Sequence, residues 1–285
     1  MGESPPPGFD PSIAVYYQRA PEETRLAQGP FQLEEVRTRE LIQRFAPPPP
    51  ATVMDVGGAA GAYALWLASA GYSVHLVDPI PRLVAEARRR SAAAGRPLAG
   101  CMVGDARALD AAGESAEIVL LLGPLYHLTD RADRLRALEE AARVLKPGGW
   151  LFAAAISRWA SALDGMAREL LPDVRFVRII EQDLRDGQHR NPTERLDYFT
   201  TAFFHHPEQL AEEIRTAGLT LNGVYGVEGP GWILPDVTER MADPNRRDLL
   251  LHVARALETE PFVLGTSAHL LAVARRPTHL ELERS

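Results

Sequence analysis

One cysteine, Cys101, is all the chain contains, so no internal disulfide can staple it. It lies in an apolar run and reads as a small buried hydrophobe, not as a reactive thiol. Positive charge is not in excess either. The 31 Lys and Arg face 38 Asp and Glu, a formal net charge of −7. Without a broad basic field, nucleic acid is not an expected partner. No run is long and apolar enough to span a bilayer, so no membrane partner is expected. The opening MGESPPPGFDPS is proline-rich, lacks the apolar core of a secretory signal and reads as a disordered leader. The expected location is therefore cytoplasmic. No internal repeat, H-x-x-x-H or CxxC is present, and no metal is expected.

What is there is an ordinary globular balance: 285 residues, 46% hydrophobic and 24% charged. The central stretch is Thr52–Gly61, TVMDVGGAAG. A short apolar run ends in Asp55, a glycine-rich turn comes next, and AYALWLASAG continues with helical spacing. Strand, tight turn and helix start make the first half of a nucleotide-binding βαβ unit. Small residues in the turn let the backbone approach a ligand closely.

Around it, strands and helices alternate. Strands are predicted at 72–77, 98–103, 118–122 and 150–156, with helices at 82–94 and 131–145 between them. Further strands are predicted at 219–227 and 268–274, making seven with the first. The expected fold is α/β: a mostly parallel seven-stranded sheet, helices on both faces and an edge hairpin at the end. Before the sheet, Phe31 to Phe45 reads as an amphipathic helix, stopped by the prolines 47–50. Residues 157–201 read as an insertion without sheet elements, and 236–257 as a second, helical insertion.

In such sheets ligands bind at the carboxyl ends of the strands, where strand order reverses. Asp78 ends the second strand, 23 residues after Asp55, and could accept both hydroxyls of a ribose from an exposed strand end. Asp105 ends the third and could accept from an exocyclic amine such as that of adenine. Leu122-Gly123-Pro124-Leu125-Tyr126-His127 leaves the fourth. Singly, each aspartate serves equally well as a helix cap. Together, at matching ends of consecutive strands, they outline one crevice.

These residues resemble the class I S-adenosylmethionine-dependent methyltransferases. DVGGAAG is similar to the first motif of that family, VHLVDP to the second and VGDAR to the third. EIVLLLGPLYHL with RLRALEEAARVLKPGGWL resembles the fourth region with its helix, turn and strand. The resemblance implies a Rossmann-like fold and S-adenosyl-L-methionine as cofactor. Asp55, Gly57, Gly58, Ala59 and Gly61 would meet its methionine part. Asp78, followed by Pro79, would hold the ribose, Asp105 and Ala106 the adenine, and Leu122 and Gly123 the sulfonium side. Ala59 stands where the family more often has glycine, and a methyl fits there if φ is negative. The implied organisation is a leader and helical lid over 1–50 and a methyltransferase domain over 51–285, with insertions near 157–205 and 230–262.

The expected reaction is in-line SN2 transfer of a methyl group to a small-molecule acceptor, with O, N or C left open. His127 is the candidate general base, the bland alternative being that it only packs. Tyr17 could fold over the cofactor. Tyr16, Tyr126, His127, His189, Arg190, His206 and Trp232 are the candidates for the acceptor side. Two other readings stay open: a non-catalytic S-adenosylmethionine-binding module and a nicotinamide-dependent oxidoreductase. Against the latter, the turn does not fit G-x-G-x-x-G, and Asp55 would repel a pyrophosphate. A homodimer is compatible with the sequence.

Overall fold

The computed structural model describes residues 4–282. The chain begins with helices α1 (Pro11–Arg19) and α2 (Phe31–Phe45), joined through a 3-10 turn at Glu22–Ala27. Asp10 starts α1 by accepting the Ser12 N–H at 2.8 Å, with Pro11 in the first turn where its missing N–H is not needed. α2 has the bounds that its periodicity predicts and buries Leu33, Leu41 and Ile42.

Strands and helices then alternate: β1 (Thr52–Val56), α3 (Ala62–Ser69), β2 (Ser73–Asp78), α4 (Pro81–Ala93), β3 (Gly100–Val103) and β4 (Ala116–Leu121). Then come α5 (Pro124–His127), α6 (Arg131–Val144) and β5 (Leu145–Ser157). The remainder is α7 (Ala160–Ala167), α8 (Val174–Asp186), β6 (Gln188–His189), β7 (Ala202–His205), α9 (Pro207–Thr216) and β8 (Thr220–Gly226). α10 (Val237–Ala242), α11 (Pro244–Leu257), β9 (His269–Arg275) and α12 (His279–Leu282) complete it.

Strands β3-β2-β1-β4-β5 run parallel in that order, with β9 antiparallel to β5 and β8 antiparallel to β9. This is the expected Rossmann-like sheet with its edge hairpin. Val53, Ile118 and Leu120 pack on one face with Leu41, Leu67 and Val84 from α2, α3 and α4. Met54, Val119 and Leu121 pack on the other with Leu138 and Leu210 from α6 and α9. Neighbouring strand residues thus serve opposite helical layers, as the two-residue period requires.

Two features depart from the sequence reading. Residues 157–201 were expected to hold no sheet element, yet β6 pairs with β7, and β7 joins the sheet at Ile156 and Ser157 of β5. β4 pairs with β5 only as far as Ala153, so β7 takes the edge that β4 has left. Four residues buried on both faces carry no alternation to read. The leader is also not free from Phe9 onward: Phe9 packs with Ala14 and Tyr17 against Ala60, Ile80 and Leu83. Residues 1–3 and 283–285 lie outside the described residues. No described helix is long and apolar enough to cross a membrane.

Candidate active site

Strand order reverses between β1 and β4, which opens a crevice at their carboxyl ends. A cavity of about 330 Å³ lies there. Gly57 enters its turn at φ 73°, and a Cβ at this residue would stand 2.6 Å from Pro124 Cδ. At Gly58 a Cβ would stand 2.7 Å from Asp55 Oδ2. Only glycine fits either place. Ala59 does not meet the condition of a negative φ: it sits at 47°, a left-handed conformation that costs an alanine about 1 kcal/mol. Its N–H donates to Asp78 Oδ2 at 2.8 Å, which holds the turn there.

Asp55 is 1% exposed, and its Oδ2 has no hydrogen-bond partner. Burial, with Asp78 nearby, pushes its carboxyl up to about 7. Asp78 is buried rather than at an exposed strand end, and its second oxygen accepts the Ile80 N–H at 2.9 Å. Burial pushes it up to about 6 against those two backbone bonds. The cap geometry is therefore present. It does not exclude a ligand, since a carboxylate offers about four lone-pair sites. Asp105 is gripped by Arg107, through Nη2 at 2.6 Å and Nε at 3.0 Å, and Arg107 also reaches Asp133 at 2.7 Å. Arg107 was readable only as the end of VGDAR, where nothing marks it as the partner of the acid.

Of the residues expected on the cofactor side, Asp55, Gly57, Gly58, Ala59, Asp78 and Pro79 line this cavity. So do Asp105, Ala106, Leu122, Gly123 and Tyr17. Gly61 does not line it. It precedes α3 at φ 84° and shapes the turn from behind.

A second cavity of about 740 Å³ adjoins the first, and Tyr17, Glu22, Arg25, Tyr126 and His269 line both. Tyr17 donates to His127 Nε2 at 2.7 Å. The other ring nitrogen of His127 lies 3.2 Å from the Thr201 carbonyl, which can only accept, so the proton sits on Nδ1. Burial pushes His127 down to about 4 and the Tyr17 phenol well above its ordinary value.

Of the expected acceptor-side residues, Tyr16, Tyr126, His189 and Trp232 line the second cavity, whereas His127 lines the first. Both His189 nitrogens are engaged, by Asp183 and by the Tyr198 carbonyl, each at 2.9 Å. Arg190 and His206 line neither cavity, a correction to their expected place. The Arg190 guanidinium is spent on the His189 and Ala202 carbonyls and on Gln188. His206 precedes α9, bonds its N–H to Gln209 and packs its ring 4.9 Å from Trp159. Sequence reasoning missed Glu22, Arg25, Phe199 and His269. They come from three separate segments, and only Glu22 and Arg25, three residues apart in one 3-10 turn, are neighbours in sequence.

Comparison with known proteins defines the class. The family described as "Methyltransferase domain" matches residues 53–149. The chain is 31% identical over 206 residues to the ubiquinone/menaquinone biosynthesis C-methyltransferase UbiE of Acidiphilium cryptum, covering 69% of this chain and 79% of that protein. It is 30% identical over 176 residues to the ubiquinone biosynthesis O-methyltransferase of Methylocella silvestris, covering 55% and 67%. An S-adenosylmethionine-dependent methyltransferase structure from Methanosarcina mazei superposes with a TM-score of 0.55 at 17% identity, covering 84% of this chain and 98% of that one. The chain belongs to the class I S-adenosylmethionine-dependent methyltransferases, and its cofactor is S-adenosylmethionine. The cavity fits that molecule: an orphaned buried carboxylate oxygen at Asp55 suits an ammonium group, and the glycine turn leaves room for backbone contact.

Proposed function

We propose that the chain methylates a small-molecule acceptor held in the 740 Å³ cavity. One observation carries this reading: Tyr17 and Tyr126 line both cavities, so a ligand in one can meet a ligand in the other. Asp55, Gly57, Gly58 and Ala59 hold the methionine part, with Gly61 shaping the turn. Asp78 and Pro79 take the ribose, Asp105 and Ala106 the adenine, and Leu122 and Gly123 flank the sulfur. When bound, the cofactor supplies an electrophilic methyl group on a positively charged sulfur. The contribution of the chain is alignment and exclusion of water. α1 covers the cavity through Tyr17, and the ring of Phe199 packs 5.4 Å from Tyr16 beside it. The test has two parts: calorimetric titration with S-adenosylhomocysteine, then mass-spectrometric screening of small-molecule pools for a methylated product. Binding followed by a product is expected. A folded protein that binds no S-adenosylhomocysteine at millimolar concentration sinks the reading.

Asp55 gives this assignment a pH signature. Its carboxyl titrates at about 7, and an ammonium beside Oδ2 favours the ionised form. Binding therefore releases a proton near neutrality, and affinity rises with pH. An isolated group of this kind gains about tenfold between pH 6 and 8. Asp78, lower at about 6, adds to the acidic end of the same trend. Titration in buffers of different ionisation enthalpy reads the released proton. Asp55→Asn is expected to abolish most of the release, and flat affinity from pH 6 to 8 in the parent protein would contradict the role.

A further inference from the structure

The wall common to the two cavities carries a charge cluster that methyl transfer as such does not require. Arg25 spans two carboxylates: its Nε lies 2.9 Å from Glu22 Oε1, and its Nη1 and Nη2 lie 2.7 and 3.1 Å from the two oxygens of Glu34. Beside them His269 Nδ1 donates to Glu228 Oε1 at 2.6 Å and stands 3.8 Å from Glu34. Glu228 Oε2 also accepts the Ser267 hydroxyl at 2.6 Å and the His269 N–H at 3.0 Å. Burial pulls His269 down, but Glu34 and Glu228 outweigh it and push its pKa up to about 9. It is therefore a cation at neutral pH. Burial raises Glu22, and Arg25 opposes that. With Glu22 ionised, three carboxylates face two cations, which leaves one negative charge where the cavities meet.

The acceptor cavity also has an aromatic wall. Tyr16, Tyr17, Tyr126 and Phe199 all line it. Phe199 has centroid distances of 5.4 Å to Tyr16 and 6.3 Å to Tyr126, and Tyr16 lies 5.2 Å from Tyr17. Phe199 reaches this place through an unusual backbone, φ 65° and ψ −164°, a region that phenylalanine rarely occupies. Asn191 holds it there, its Nδ2 donating to the Phe199 carbonyl at 2.7 Å and to the Arg195 carbonyl at 2.8 Å. Strain kept in place by a dedicated side chain marks a ring whose position matters. Aromatic faces with nearby carboxylates are the surroundings that favour alkylated ammonium groups.

We infer that the acceptor is an amine that attacks as the neutral base, with its N-methylated ammonium product held by this aromatic and acidic wall. The inference rests on the reading that the acceptor occupies the larger cavity. The amine lone pair forms the new N–C bond as the S–C bond breaks, and the electron pair of that bond stays on sulfur. Positive charge passes from sulfur to nitrogen and is not destroyed. The buried negative charge is therefore matched before the step by the sulfonium and after it by the ammonium. A phenolate or enolate acceptor would add a second negative charge beside the cluster. Its neutral product would then leave the cluster uncompensated in a place poor in water.

The test uses the full chain saturated with S-adenosylhomocysteine at about pH 8, well above the ordinary carboxylate range, because burial raises Glu22. Choline and its uncharged carbon isostere dimethylbutanol are titrated by calorimetry, with nitrophenolate as the anionic probe. Choline is expected to bind at least about tenfold more tightly than the isostere, a difference of roughly 1.4 kcal/mol. Phe199 lines only the larger cavity, and Phe199→Leu is expected to reduce that preference by about threefold or more while S-adenosylhomocysteine affinity is kept. Glu22 lines both cavities, and Glu22→Gln is expected to reduce the preference by as much in protein resaturated with S-adenosylhomocysteine. Equal binding of the isostere, tighter binding of nitrophenolate, or no choline binding by loaded protein overturns the inference. Loss of S-adenosylhomocysteine binding itself strikes the methyl-transfer reading instead, so the two failures are told apart.

Discussion

Asp78→Ala is expected to weaken S-adenosylhomocysteine binding by roughly 10- to 1,000-fold and to destabilise the protein without ligand as well. Each oxygen of Asp78 already accepts one backbone N–H, from Ala59 or from Ile80. Each retains a further lone pair, and the residue lines the cavity. Two ribose hydroxyls donating to a carboxylate contribute about 1.5–3 kcal/mol each, not fully additively, which sets the range. Removing the side chain also strands the Ala59 and Ile80 donors. A stranded buried donor costs about 1–3 kcal/mol, and part of this is recovered where water enters. The Ala59 turn, already at positive φ, then loses the bond that holds it. Titration of the variant, with its melting temperature measured without ligand, separates the two effects. A lower melting temperature with unchanged affinity would leave Asp78 a cap alone and remove it from the site.

The cofactor side was legible because its signals are local. The parallel strands read as short apolar runs, and Asp55 near the end of β1, Asp78 at the end of β2 and Asp105 just beyond β3 mark the ligand end. Gly57 and Gly58 announce a turn wherever they stand. The conformation of that turn was not legible: Ala59 takes a positive φ because a carboxylate 19 residues later accepts its N–H. The acceptor side was harder still. Arg190 and His206 are polar residues in irregular or capping segments, and polarity alone does not say whether a side chain faces a cavity. Arg190 turned to backbone carbonyls, and His206 to the start of α9. The cluster of Glu22, Arg25, Glu34, Glu228 and His269 forms only when the N-terminal helices meet the end of β8 and the start of β9, more than 190 residues away in sequence. Nothing at that separation leaves a periodic trace.

Tyr17→Phe is expected to lower kcat for the identified acceptor by about 100-fold, because small losses of alignment are amplified in a reaction that depends on approach geometry. The phenol donates to His127 Nε2 at 2.7 Å, and the Thr201 carbonyl fixes the His127 tautomer from the other side. The ring of Tyr17 packs edge-on to Tyr16 at 5.2 Å and to His127 at 5.3 Å, contacts that phenylalanine keeps. One neutral hydrogen bond contributes about 0.5–1.5 kcal/mol, so S-adenosylhomocysteine affinity should change by no more than about tenfold. With its pKa pushed down to about 4, His127 stays neutral through the working range and is a weak proton acceptor. We propose that its role is to hold the hydroxyl of Tyr17, which lines both cavities. That role has two measurable consequences. The kcat profile has no acidic limb from His127 near pH 6.5, where an ordinary histidine base would lose activity on protonation. The double variant Tyr17→Phe/His127→Ala is no slower than the slower single variant, since both remove one bond. Independent, multiplying losses in the double variant, or wild-type kcat in Tyr17→Phe, would show that the pair does not act as a unit.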